Sequence, residues 1–565
     1  MNKQQTFDKL LGTLSLEEKA AQLMVLGYTG SFIEPELLEF IDRYGLGGLR
    51  LSPFLARKFI RYLPDGSPGI KNVLRPKAPR EKLFDESIPP PHITAPEYAE
   101  MLNVFRHRAL ARRHAVPLHT VMDAESGESS NFISNGMITP PECMGLGDLG
   151  DVDLVRRVSF ALGKQLKAVG IDMLHSPVVD VNTNPSNPGI YTRSYNADPD
   201  VVTKCARAAL KGFRRANIIS CLKHYPGAGA LATDTHYGIS SVTLDKNTLW
   251  RDHLAPYRTL CREGIVPAIM LLHSSFPSLD PTGEIATVSP KIVNEILRGE
   301  IGFDGVITTD SMTMGGLMAK YDVGEACIRA LEAGVDILLL KDDNVLRWEM
   351  HAAIVAAIRS GRISEERVNQ SLRRIWSMKY DHGLFKDGGL VDPHTVESAI
   401  RKPQYRKVGL EAARRVIRVL RDEHGVLPLQ PSQKILLVDR ITYNQKTIND
   451  SWNHPGMFWE CVLKYAPDAG YVDYTPKTTA AAEKTIEQVI KHFDIIVATG
   501  SYTRGLENDT KPFLQKLMKF GKPVVLISTV PYSELLIPDE IRTVVVSYGL
   551  MRDSVEVIAK MLFKG

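Results

Sequence analysis

Along the first 340 residues, short runs of apolar and β-branched side chains recur, and most intervals between them carry the periodicity of amphipathic helices. The runs fall at 22–27, 45–51, 117–123, 173–181, 218–224, 267–273, 305–310 and 335–341, the first being the least regular. Such alternation marks parallel βα units, and eight of them predict a closed (β/α)8 barrel. A second set of runs, at 434–439, 494–499, 523–528 and 543–547, with a helical pattern at 479–492, predicts a smaller three-layer α/β sandwich domain. The expected organisation is an α/β chain with a barrel domain over 1–395, a helical connector over 396–422 and the sandwich over 423–565. A segment rich in proline and basic residues, 53–96, interrupts the barrel pattern. It reads as a surface insertion, with a lid or a subunit contact in a homo-oligomer as the alternatives.

Polar and ionisable residues close several of the runs: Asp123, Lys223 with His224, His273 and Asp310. All stand at C-terminal strand ends, the barrel face where βα loops build sites. Composition narrows the partners. Charged residues make up 24% and hydrophobic ones 44%, which suits a packed globular chain rather than a disordered one. A formal charge of +4 over this length gives no case for nucleic acid, so a small molecule is the expected partner. The six cysteines show neither a CxxC pair nor zinc spacing and read as reduced core thiols; no metal or cofactor is expected. The N-terminus reads as an amphipathic charged helix without a signal-peptide core, and no run reaches the roughly 18 apolar residues of a membrane span. A cytoplasmic protein is therefore expected.

The densest chemistry lies in KHYPGAGALATDTH, residues 223–236. Lys223 and His224 end a strand, glycines that permit movement follow, and Asp234 stands two residues before His236. A lysine at a buried strand end can donate to sugar hydroxyls or a carboxylate, and an aspartate beside a histidine can fix its tautomer and raise its basicity. A single histidine would more often be structural, but two with a lysine and an aspartate in fourteen residues favour a site. Asp310 ends the apolar strand of GFDGVITTDSMTM. There it reads equally as a ligand or nucleophile and as a helix N-cap.

KHYPGAG followed by DTH, the strand ending TTDSM, and PVVDVNTNPSNPGIYTRSY together resemble glycoside hydrolase family 3, and within it the β-N-acetylglucosaminidase branch. The resemblance covers nearly the whole chain and implies a (β/α)8-like domain followed by a smaller α/β sandwich. It further implies a retaining hydrolase acting on a carbohydrate, with Asp310 as nucleophile and His236 as general acid/base held by Asp234. Sugar contacts fall to Asp123, Arg193, Lys223 and His224. The chain also departs from the branch pattern. It reads DAESG and then ESSNF where the branch has Asp-Gln-Glu-Gly-Gly and a following arginine, so a sugar-binding arginine is missing around Asn131, and Ala228 replaces a second histidine.

These departures leave a β-glucosidase or another exo-β-glycosidase of the same fold as the alternative. A phosphorylase is a further one, since a neutral histidine repels an incoming anion less than a carboxylate does. A non-catalytic sugar-binding descendant would need a broken catalytic set, and Asp310, Asp234 and His236 are all in place. A dinucleotide-dependent oxidoreductase would need a GxGxxG loop, which the C-terminal half lacks.

Overall fold

The structure is a computed structural model describing residues 2–29, 33–52, 60–62, 68–70, 93–127, 136–233, 238, 240–341, 345–442, 454–501, 510–532 and 536–564. The eight runs become one closed parallel barrel. In chain order its strands are β1 (Met24–Thr29), β2 (Gly48–Ser52), β3 (His119–Met122), β4 (Met173–Leu174), β5 (Ile219–Tyr225), β6 (Ala268–Leu271), β7 (Val306–Ser311) and β8 (Ile337–Leu340). Sequence neighbours pair throughout, and β1 closes the ring on β8. Strand β1, irregular as a pattern, is paired on both sides, Val25 facing Gly48 of β2 and Leu339 of β8.

Two expectations change in detail. The run 173–181 keeps a ladder of only two residues, because Pro177 has no N–H to contribute; past it the chain stays beside β5 through one bridge, Val178 to Lys223. The N-terminal helix is two helices, Lys3–Thr13 and Leu16–Gln22. Ser15 starts the second: its hydroxyl accepts from Glu18 N at 3.2 Å while the Glu18 carboxylate accepts from Ser15 N at 2.9 Å. Of the insertion expected over 53–96, Ile60–Tyr62 and Pro68–Ile70 form a small antiparallel pair and Ala95 already begins the helix Ala95–Leu110; the remainder of 53–92 lies outside the described residues.

The second sheet holds β9 (Arg418–Asp422), β10 (Ile435–Arg440), β11 (Gly470–Tyr474), β12 (Ile495–Gly500), β13 (Val524–Ser528) and β14 (Thr543–Val546), ordered β9-β14-β13-β12-β10-β11. All pairs are parallel except β9 with β14. Residues 418–422, expected to end a helical connector, are therefore an edge strand of this sheet; the helices before it are Pro393–Ile400 and Pro403–Val416. Strand β9 reads RVLRD with two exposed hydrophobics, and β11 reads GYVDY. Both lie at sheet edges, where charge is common and an apolar run is not required.

At the N-terminal end of the barrel an ionic floor seals the core. Lys379, from the helix Glu365–Asp381, is fully buried and donates to the carbonyls of Gly47 at 2.7 Å and Pro117 at 2.8 Å. Burial pushes its pKa down to about 7. Beside it Asp172 accepts from Arg106 at 2.8 Å and Lys167 at 2.7 Å, with Thr120 N at 3.1 Å. Five of the six cysteines are buried in the cores. Among the described residues, no helix is long and apolar enough to cross a membrane.

Candidate active site

The opposite end of the barrel gathers the polar strand ends. Strand β2 delivers Arg50, the turn after β3 delivers Asp123 and Glu125, the chain after β4 delivers His175 and Asp180, and β5 ends in Lys223 and His224. A short turn, Tyr191–Arg193, adds Arg193. Asp123 is their junction. It pairs with Arg50 through Oδ2 and with Lys223 through Oδ1 at 3.0 Å, and His175 Nδ1 stands 3.5 Å from Oδ1. Lys223 also reaches Glu125 at 2.5 Å, and Glu125 is clasped by Arg193, Nε and Nη2 donating at 2.6 and 2.8 Å. The result is an alternating chain, Arg50–Asp123–Lys223–Glu125–Arg193.

Burial alone would raise the Asp123 carboxyl, but the Lys223 and Arg50 cations outweigh it and hold it well below the usual range. Glu125 follows the same balance: burial opposes, Arg193 and Lys223 prevail, and its pKa falls to about 2. Burial works against the Lys223 ammonium, and the two carboxylates more than restore it. All three are therefore ionised at neutral pH. Asp123 differs from Glu125 in access, with 23% of its side chain exposed against 2%. Its partners approach from the barrel side, leaving an ionised oxygen edge to accept from a ligand hydroxyl.

His224 is oriented by Asp180, a fully buried carboxylate that accepts from His224 Nδ1 at 2.7 Å, from His224 N at 3.2 Å and from Ala228 N at 2.6 Å. In the neutral ring this places the proton on Nδ1 and leaves Nε2, 3.5 Å from Arg193 Nη2, as an acceptor on the pocket side. The same aspartate ties the strand end to the following loop. That loop uses its glycines for contact as well as turning: Gly227 has φ +139, and a Cβ on Gly229 would lie 1.8 Å from the carbonyl oxygen of Val181.

Asp310 stands at the end of β7, two strands round the ring from Lys223, partly exposed, with Oδ1 accepting from Ser311 N at 2.7 Å. It lies inside a strand, and the next helix, Gly315–Met318, starts beyond it at Met314, so it does not cap that helix. His273, the other strand-end histidine, is fully buried, with Nε2 3.0 Å from the carbonyl of Ser311 and Nδ1 2.7 Å from Thr287 Oγ1. Its place is structural: it braces the end of β7.

Asp123, Arg193, Lys223 and His224 thus meet in one connected cluster, and Asp310 stands at the same end of the barrel. Asp234 and His236 lie outside the described residues, as does the stretch around Asn131 where an arginine is missing. Sequence reasoning did not single out Arg50, Glu125, His175 or Asp180. Glu125 was legible as the second carboxylate of DAESG, and Asp180 as the one charge in PVVDV; Arg50, inside the apolar run GLRLS, carried a weaker signal. Among the described residues, no group of three or more His, Cys, Asp or Glu is placed to hold a metal.

The profile described as Glycosyl hydrolase family 3 N terminal domain matches residues 93–378, which span β3 to β8 and every pocket residue above except Arg50. The chain belongs to glycosyl hydrolase family 3. Among relatives, it is 27% identical over 424 residues to "Beta-hexosaminidase A" of Pseudoalteromonas piscicida, covering 72% of this chain and 64% of that one. It is 34% identical over 230 residues to "Beta-hexosaminidase" of Bordetella avium, covering 40% of this chain and 65% of that one. The chain thus spans a little under two thirds of the length of these two relatives. In fold it is similar to a family 3 β-N-acetylglucosaminidase from Paenibacillus sp. str. FPU-7, with a TM-score of 0.81 at 23% identity, covering 98% of this chain and 97% of that one. The barrel followed by a separate mixed sheet is shared across that alignment.

Proposed function

We propose that this protein is a retaining exo-β-N-acetylglucosaminidase that removes terminal β-linked N-acetylglucosamine. The observation that carries the reading is the ionised, half-open Asp123 carboxylate, held from the barrel side by Arg50 and Lys223 on the rim that also bears Asp310. A carboxylate so placed accepts from sugar hydroxyls without being neutralised. The relatives named beta-hexosaminidase support the choice of sugar.

In this reading a carboxylate oxygen of Asp310 attacks the anomeric carbon while His236, aligned by Asp234, protonates the departing glycosidic oxygen. The glycosyl ester is then opened by water, whose proton returns to His236, and the β configuration is retained over the two inversions. Lys223 and Arg193 donate to the bound sugar, and Nε2 of His224 accepts from it. A histidine with an ordinary pKa near 6.5 can serve both steps at neutral pH.

The test pairs nitrophenyl β-N-acetylglucosaminide with the β-glucoside, each with and without phosphate. Faster turnover of the first, independent of phosphate, is expected. Preference for the glucoside, or a sugar phosphate as product, would replace the reading by a β-glucosidase or a phosphorylase. In His236→Ala, an activated phenol leaving group should lose far less rate than a disaccharide, and azide should yield a β-glycosyl azide. Equal loss on both substrates with no azide product would remove His236 from the chemistry.

A further inference from the structure

The second domain touches the barrel domain directly behind the pocket, through the chain that follows β14. Tyr548 is fully buried there and has φ +52, a left-handed conformation unfavourable for a residue with a Cβ. Its position grips the helix Cys143–Leu149 along its length. The carbonyl of Tyr548 accepts from Glu142 N at 2.7 Å, its ring fills the space where a side chain on Gly145 would stand, 2.7 Å from that Cβ, and its hydroxyl donates to Asp148 at 2.6 Å. A second anchor follows at once. Asp553, also fully buried, accepts from Thr139 N at 2.8 Å, and its own N–H donates to Thr139 Oγ1 at 2.8 Å.

The other side of that helix supports the pocket. Cys143 Sγ donates to the carbonyl of Glu125 at 3.3 Å, and Gly127 N donates to the carbonyl of Pro140 at 2.9 Å. A Cβ on Gly147 would lie 1.8 Å from the carbonyl oxygen of Tyr195, two residues after Arg193. Asn196 Nδ2 reaches the remaining Asp148 oxygen at 3.3 Å. Glu125 and Arg193, the pair that clasps at 2.6 Å in the pocket, both rest on the helix that Tyr548 holds. Close packing at both glycines leaves little slack, so a shift at Tyr548 is passed on rather than absorbed.

We propose that Tyr548 is a positioning residue, through which the second domain sets the height of the helix Cys143–Leu149 and thereby the Glu125–Arg193 wall of the pocket. As a statement about sugar binding, it rests on the function proposed above. Tyr548→Phe and Asp148→Asn should each raise KM about threefold, and Tyr548→Ala about tenfold, with kcat changed by less than about threefold in each. The Tyr548→Phe, Asp148→Asn double variant should be no worse than the more severe single one, since both act on the same Tyr548–Asp148 bond. Hydrogen exchange gives a readout independent of turnover: peptides covering 119–127 and 190–197 should exchange faster in each single variant than in the unaltered protein. Unchanged KM or unchanged exchange at those peptides, even with a lowered Tm, would reduce Tyr548 to domain adhesive and overturn the proposal. If the unaltered protein turned over no glycoside, the proposed function would fall while exchange alone decided the coupling. If Tyr548→Ala failed to fold, the two conservative variants would carry the test.

Discussion

The two ends of the barrel carry ion networks of similar composition and opposite finish. At the floor, Asp172 is fully enclosed by Arg106, Lys167 and the backbone of Thr120, and Lys379 spends its donors on two carbonyls. At the mouth, Arg50, Lys223 and Arg193 meet Asp123 and Glu125, yet Asp123 keeps an exposed edge and Asp310 stays partly open. Buried ion pairs add little net stability once desolvation is counted, so neither network is explained by stability alone. The floor turns its carboxylate wholly inward, Asp172 being fully buried, while the mouth leaves an edge of Asp123 and part of Asp310 within reach of solvent. A carboxylate that the fold holds ionised and still leaves accessible is what separates a site from a plug.

The contrast breaks most sharply at Asp310. Asp310→Asn should lower kcat by ~10⁴-fold or more, since an amide cannot form the glycosyl ester, while Tm stays close to that of the unaltered protein. A 2- or 5-fluoro sugar that traps the intermediate should label the peptide carrying Asp310; label on another carboxylate would move the role there. At the floor the signature reverses. Asp172→Asn strips a counter-ion from Arg106 and Lys167 and should cost about 3–5 kcal/mol in a denaturant titration, with kcat of the folded fraction unchanged. A kcat loss at constant stability would erase the distinction between the two ends.

Glu125→Gln lies between them. It leaves Arg193 and Lys223 partly uncompensated and should cut kcat/KM by about 10–100-fold with a modest fall in Tm. Acid gives the smallest expected effect. Asp123, Glu125 and Asp172 have folded pKa values depressed below those of the unfolded chain, so their stabilisation is complete above the unfolded values near 4 and is lost as pH falls towards the folded ones. Between pH 7 and pH 4 the loss should be only about 1 kcal/mol, read as a Tm lower by a few degrees, and it should steepen below pH 4. In Asp172→Asn that slope should flatten.

Much of this was legible because buried strands advertise themselves. All eight barrel strands were readable as apolar runs, and the polar residue ending each of β5 and β7 was visible against them. Edge strands were not, since β9 and β11 need only one partner and tolerate charge. Within the site, residues closing a run stood out, whereas Arg50 was hidden inside one and Glu125 and Asp180 drew no notice beside histidines. Their importance comes from partners distant in the chain: Arg193 lies 68 residues from Glu125, and His224 lies 44 from Asp180. His273 erred the other way, prominent in the pattern but occupied in bracing β7.

The antiparallel strand β9 has a consequence for how the chain is made. It opens the second sheet yet pairs only with β14, the last strand, Arg418 opposite Val546. During vectorial synthesis the barrel has all eight strands once Leu340 emerges, whereas the first strand of the second sheet must wait for Thr543–Val546, more than 120 residues on from its own end, before it finds a neighbour. Until then β9 is an unpaired edge bearing exposed Val419 and Leu420, and a chain stopped before β14 would leave the ribosome with a finished barrel and an adhesive tail.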